Sequence, residues 1–428
     1  MAATRSMAAA NRVMSEMLID CRDKSEVDAA RTVAERYDAL APGERAEALL
    51  ANYPPQTRMW LLEAGIRHVP KRDADGAWHV AFVRGLSPTL GKPTGFHHLA
   101  TRSDGSIWVC QRSPVVARID GGTRRIVAVA RALKSGSHLA LDETTDQVIV
   151  ADPAAGQLVA LRCADLTVTH RWDTPGGPQL PVVTPDGIVC VTGGATGTLT
   201  IVRPQARGYV TQTVEVGSTP HDPALSSDGQ YAFVPCMGAS VLVKVRLPDG
   251  AIVGRCAVGD GPSHAKADHR RKRIYVANSW DGTLTALDED GGVVASVESG
   301  RWAHAVCLTP DGSQIWVANF FDDTVAVFDA ANLKRAALLE TEAYPHGLDI
   351  APDGKRAVVT GFASDHARVF EVPGGKLLAR IEIGRGGAHT GFIGDSRTAV
   401  VTCSVANHLA CIDLDGKAAA GRITLGNA

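Results

Sequence analysis

Residues 344–361 read YPHGLDIAPDGKRAVVTG: two short runs rich in apolar and β-branched residues, joined by the turn Pro352-Asp353-Gly354. Such runs on either side of a Pro/Asp/Gly turn have the pattern of an antiparallel hairpin. The pattern recurs as GFHHLATRSDGSIWVCQ (95–111), GSHLALDETTDQVIVAD (136–152), GPQLPVVTPDGIVCVTG (177–193) and TPHDPALSSDGQYAFVPC (219–236). It returns as PSHAKADHRRKRIYVAN (262–278), WAHAVCLTPDGSQIWVAN (302–319) and GAHTGFIGDSRTAVVTC (387–403). Each copy runs on into a third apolar strand, such as TVAVFD (324–329), and a fourth, such as KLLARIEIG (376–384).

Four short strands repeated about every 42 residues are the signature of a propeller blade. Eight copies predict an all-β, eight-bladed β-propeller over residues 90–428. Closing the blades into a ring removes the exposed sheet edges that an open array would present. Before the ring, Ala30, Val33, Tyr37 and Leu40 recur with Val27 at helical spacing behind the N-cap candidate Ser25. Pro42 opens a second helix over GERAEALLANY, Pro54-Pro55 ends it, and Met59, Trp60, Leu61 and Leu62 give a third apolar segment. Residues 1–70 therefore read as a small α-helical region. Residues 71–89 read as a linker, in which WHVAFVRG (78–85) is a candidate closing strand for the propeller.

Composition narrows the function. In 428 residues, 44 basic and 46 acidic side chains leave a net charge of −2, which gives no attraction for non-specific nucleic-acid binding. No run approaches the ~20 apolar residues of a membrane span. Nine cysteines without a CxxC pair, and no apolar leader, point to reduced thiols and a cytoplasmic location. The GxSxG, HExxH, P-loop and dinucleotide signatures are absent, and Gly193-Gly194-Ala195-Thr196-Gly197 falls in a hairpin.

Tyr275-Val276-Ala277-Asn278 and Ile315-Trp316-Val317-Ala318-Asn319 resemble the strand motif of YVTN-type β-propeller repeats. The resemblance covers about residues 90–428 and implies the propeller fold more than any one activity.

Six residues before each turn stand His97, His138, Gln179, His221, His264, His304, His346 and His389, at spacings of 41, 41, 42, 43, 40, 42 and 43 residues. Seven of the fourteen histidines thus share one register position, on the strand that lines a propeller's central channel. Crowded imidazolium ions would repel one another, whereas neutral imidazoles around a cation would not, and His is the commonest metal ligand. His97, His138, His221, His264, His304, His346 and His389 are the expected ligands, of one ion or of several. Gln179 fills the eighth place. Polar second-strand ends, Gln111, Cys236, Asn278, Asn319 and Cys403, are expected to orient the imidazoles. Asp152 and Asp222 are the nearest carboxylates by register. The expected catalytic set is His97, His138 and Asp152, while His98 should point away from the channel by strand alternation.

The arrangement is similar to nitrous oxide reductase, whose propeller presents histidines to a multinuclear copper centre. This chain differs in having eight repeats and no cupredoxin segment. Imidazole donors with thiols nearby make copper the first expectation and iron the second. A metal-dependent enzyme acting on a small molecule, with oxidoreduction favoured, is the leading reading. Two alternatives stand beside it: a non-catalytic scaffold that binds a protein partner or itself through the N-terminal helices, and a metal-free lyase or lactonase with a histidine base.

Overall fold

The computed structural model describes residues 17–40, 44–51, 53, 57, 61, 66, 68–73, 75–83, 95–394 and 396–425. The chain divides into two compact units, Met1–Lys92 and Pro93–Ala428. Among the described residues no helix is long and apolar enough to cross a membrane.

In the first unit the helix Glu26–Ala39 forms as its spacing predicts. The Ser25 side chain caps it by accepting from the Asp28 N–H, and Ala30, Val33, Tyr37 and Leu40 are buried. The second expected helix is instead the strand Arg45–Leu50. It pairs in parallel with Met17–Asp20 and antiparallel with Trp78–Val83, which also pairs with His68–Arg72. Ala46, Ala48 and Leu50 are buried at a period of two, and this alternation overrides the helical propensity of Ala, Glu and Leu. Trp78, Val80 and Phe82 alternate inward the same way, so Trp78–Val83 completes this small sheet and is not a closing strand of the propeller. Among the described residues the region is thus a four-stranded sheet with the helix Glu26–Ala39. Pro42, Pro54, Pro55, Met59, Trp60, Leu62 and the Val27 side chain lie outside the described residues.

The second unit contains eight four-stranded sheets, each an antiparallel meander built from one unbroken stretch of chain. In order they span residues 96–131, 139–173, 182–215, 224–257, 262–298, 303–340, 345–382 and 387–423. Strand alternation explains how they stack. In the second sheet Val148 and Val150 join an apolar cluster with Trp108 and Val116 of the first, while Ile149 and Ala151 join one with Val189 and Val191 of the third. Six further clusters bridge the remaining junctions in the same manner. The last places Phe96, Ile107 and Val109 of the first sheet against Val400, Leu409 and Cys411 of the eighth, which closes the ring. Among the described residues no strand crosses that closure. It carries hydrogen bonds from the Gly95 N–H to Ser404 O (2.8 Å), from Thr402 Oγ1 to His97 O (2.8 Å) and from Gln111 Nε2 to Asn407 Oδ1 (2.8 Å).

Candidate metal centre at the channel mouth

The innermost strands do not run regularly at the level of the histidines. Register shifts fall between Phe96 and His98, Pro262 and His264, Ala303 and Val306, Pro345 and Leu348, and Gly387 and Thr390. Just upstream, Gly177, Thr219, Gly261, Trp302, Tyr344 and Gly386 adopt left-handed φ of 51–78°. A left-handed turn followed by a bulge re-aims the next side chain, and both devices concentrate next to functional sites. The bulge also changes the fate of His98. His97 is the unpaired residue, and both rings meet those of His138 and His389. His98 lines the cavity, contrary to the alternation expected of a regular strand, while His97 is buried behind it.

The rings form one arc. Centroids are 5.1 Å apart for His221–His264, 4.1 Å for His264–His304, 5.2 Å for His304–His346 and 5.2 Å for His346–His389. The arc continues through His389–His97 (5.3 Å), His389–His98 (4.5 Å), His97–His138 (5.0 Å) and His98–His138 (4.9 Å). The third sheet interrupts it. Leu180 and Pro181 line the cavity there, and Gln179 is not among its lining residues. The cavity they line is open to solvent and measures about 490 Å³. Asp222 is the one carboxylate among its described lining residues, and His269 and Lys266 lie further along its wall. His269, just past the strand Pro262–Asp268, is also exposed to solvent.

Burial sets the charge state. Desolvation holds the pKa of His97, His138 and His389 well below the usual imidazole value, with neighbouring rings and, at His97, Arg112 adding to it. His98 is pushed down to about 4 by desolvation. These rings are neutral at neutral pH and carry lone pairs. Asp222 goes the other way: its burial opposes ionisation, but His221 and His264 beside it outweigh that and hold its pKa well below the usual carboxylate range.

Two groups of donors converge. One nitrogen each from His97, His138 and His389 lie within 4.8 Å of one another, as do ligand atoms of His221, Asp222 and His264. Two nitrogens on one zinc-like ion at about 2.1 Å can stand at most about 4.2 Å apart, so small side-chain rotations close either group on a cation. In the first group His97 Nδ1 and His389 Nε2 are buried without a hydrogen-bond partner among the described residues. Arg112 Nη2 lies 3.4 Å from His97 Nε2, and because a guanidinium only donates, Arg112 and a cation compete for this ring.

The groups that orient the imidazoles differ from those expected. Ser137 Oγ is 2.8 Å from His138 Nδ1, Ser263 Oγ is 3.0 Å from His264 Nδ1, and His346 Nδ1 donates to Ala388 O at 3.0 Å. The Ser-His pairs at 137–138 and 263–264 were visible in the sequence as the signal for the first two. The expected orienters serve the blades instead. Asn278 donates to Thr283 and Thr285, Asn319 to Thr324 and Ser299 O, and Gln111 bonds across the ring closure. The Cys236 and Cys403 thiols donate to main-chain carbonyls, with pKa raised to about 12 by burial. Asp152, expected in the catalytic set, is not among the lining residues of the cavity. Its carboxylate accepts from the N–H groups of Lys134 (2.6 Å), Ser135 (3.1 Å) and Ala155 (3.1 Å), closing a loop.

Aromatic side chains back the arc. Phe320 lies 6.0 Å from His304 and stacks on Tyr344 at 4.9 Å, while Phe362 lies 5.5 Å from His346. Gly347 permits the tightest approach behind it. A Cβ there would meet Ala388 O at 2.5 Å and Thr360 Oγ1 at 2.6 Å, so the bond from His346 to Ala388 O depends on a glycine. Gly347→Ala is expected to destabilise the protein by about 1–3 kcal/mol in urea unfolding, the usual cost of overpacking.

Residues 192–382 match the family model described as Lactonase, 7-bladed beta-propeller. Among solved structures, dihydro-heme d1 dehydrogenase NirN in complex with DHE is 17% identical, with a TM-score of 0.61 over 71% of this chain and 69% of that one. Hydrazine synthase of Kuenenia stuttgartiensis is 17% identical, with a TM-score of 0.52 over 75% and 96%. A proposed 6-phosphogluconolactonase of Bacteroides fragilis is 17% identical, with a TM-score of 0.53 over 68% and 95%. At such identities the likeness is one of fold, and from Pro93 onward the chain is a β-propeller. The family description counts seven blades where this chain forms eight four-stranded sheets.

Proposed function

We propose that this protein is a metal-dependent enzyme that acts on a small molecule in the channel mouth of an eight-bladed propeller, with oxidoreduction as its first chemistry. The observation that carries the reading is the arc of imidazoles, open at the third sheet and neutral where burial is deepest, beside a cavity large enough for a small substrate. His97, His138 and His389 would hold the ion. Neutral nitrogen donors suit copper or iron, and copper is the first expectation. Bound there, the ion would supply a redox centre or a Lewis acid.

The chain's own residues bind and orient the substrate. His346, whose Nδ1–H is committed to Ala388 O, has Nε2 as its hydrogen-bond acceptor. His98, with a pKa near 4, accepts or donates a hydrogen bond without taking on charge at neutral pH. The Lys266 ammonium lines the wall and favours a substrate with an anionic group.

The match over 192–382 favours a second reading, hydrolysis of a lactone with an imidazole as base, since that span carries His221, His264, His304 and His346. Elemental analysis of protein purified without chelators or a His-tag separates the two readings. The first expects at least one equivalent of copper or iron and a turnover that chelation abolishes. Lactone hydrolysis that survives chelation would establish the second, and protein that is empty and refuses added metal would overturn the first.

A further inference from the structure

The opposite side of the cavity holds a chemically different set of donors. His221, Asp222 and His264 supply two imidazoles and one carboxylate, and their ligand atoms lie within 4.8 Å of one another. Asp222 Oδ2 is 3.1 Å from His264 Nε2, and Asp222 Oδ1 is 3.3 Å from His221 Nδ1. The second approach is too poorly aligned to be a hydrogen bond. It leaves Asp222 Oδ1 and His221 Nδ1 as buried polar atoms unsatisfied side by side, on a carboxylate residue only 9% exposed.

The protonation of His264 follows from a chain of hydroxyls. Ser279 Oγ donates to Ala303 O at 2.7 Å, so in its 2.7 Å bond with Ser263 the proton belongs to Ser263. Ser263 Oγ is then the acceptor at 3.0 Å from His264 Nδ1, and that nitrogen carries the N–H. In the neutral ring Nε2 is a bare lone pair facing a carboxylate oxygen at 3.1 Å. Two acceptors do not rest at that distance unless a positive charge stands between them. Either a second proton on the ring supplies that charge, or a cation does.

The main chain holds this pair in place. The Asp222 N–H donates to Ser263 O (3.1 Å), and the Ala265 N–H donates to Asp222 O (3.1 Å), so Asp222 and His264 form a bridge between the fourth and fifth sheets. A carboxylate fixed by backbone against one imidazole and adjacent to another is a pre-organised ligand set.

We infer that His221, Asp222 and His264 form a second divalent-cation site, distinct in donor chemistry from the three-histidine centre. The anionic oxygen lowers the net charge of a bound dication to +1, and the two-histidine, one-carboxylate set suits iron(II), manganese, cobalt or zinc better than copper(I). Two ions of unlike hardness would then face one cavity across the rings of His304 and His346. The inference shares its cavity with the proposed centre but stands on other residues, so the two can fail separately.

The test is titration of chelator-stripped full-length protein with cobalt(II) alone, read by its visible absorption and by equilibrium dialysis. Wild type is expected to bind two equivalents. Asp222→Asn, which keeps the shape and removes the charge, is expected to lose one of them, weakened at least about 100-fold, and to keep the other. The combined variant His138→Ala/His389→Ala is expected to keep the Asp222-dependent equivalent. If Asp222→Asn binds both equivalents as wild type does, Asp222 and His264 are a simple ion pair and the second site does not exist. Loss of the Asp222-dependent equivalent alone, with the double histidine variant unchanged, would sink the three-histidine centre and leave this site standing. The retained equivalent in each variant reports that the fold is intact.

Discussion

Replacing His138 and His389 together by alanine is expected to weaken metal binding at the three-histidine centre by more than about 100-fold. Loss of a single group that merely orients a ligand commonly costs 10–100-fold, and here two direct donors go at once. The two rings come from the second and eighth sheets, on either side of the closure. Their centroids are 5.4 Å apart, and His97 would be left as a lone donor. The fold should survive, because both side chains project into the cavity and not into the apolar clusters at the sheet junctions. Elemental analysis after dialysis against a limiting chelator reads the loss, and far-ultraviolet circular dichroism reads the fold. Retention of the metal at wild-type affinity would place the centre elsewhere.

The second large effect is on stability against pH in metal-free protein. His98 has a folded pKa of about 4 against 6.5 for a solvated imidazole, and His97, His138 and His389 are displaced in the same direction. Below about 6.5 the unfolded chain takes up protons that the folded ring refuses. Stability is therefore complete above that pH and falls as the pH drops towards the folded pKa. For His98 alone the full loss is about 3 kcal/mol, reached near pH 4. With the three neighbouring rings the fall between pH 7 and 4.5 should amount to several kcal/mol, seen as a lower urea midpoint. A midpoint that stays flat over this range would mean that the rings are hydrated and protonate freely in the fold.

Much of this was legible in the sequence, for physical reasons. The turn Pro-Asp-Gly and the alternation of apolar residues specify a hairpin locally, so repetition alone announced the sheets. The shared histidine position followed from the same register. What escaped were features set by departures from that regularity. His98 faces the cavity because a bulge at His97 cancels the alternation on which its outward placement rested. Asp152 and Asp222 looked equivalent as nearby carboxylates. Only the structure shows that three loop N–H groups claim the first, while the backbone bridge to His264 presents the second. The strand Arg45–Leu50 was read as a helix because Ala, Glu and Leu favour one, and its pairing with two distant strands outweighed that preference.

Every sheet of the ring is one unbroken segment, and the first meets the eighth through an apolar cluster of the same kind as the other seven junctions. Among the described residues the ring therefore has no latch. A chain that began at any other blade would form the same ladders, so circular permutants with new ends between sheets should fold. By the same logic a blade can be gained or lost as a whole cassette without tearing a neighbour's hydrogen bonds. That modularity offers a route between propellers of seven and eight blades. In such a series each added segment would bring its own inward-facing residue, and the size of the donor ring would be counted out by duplication.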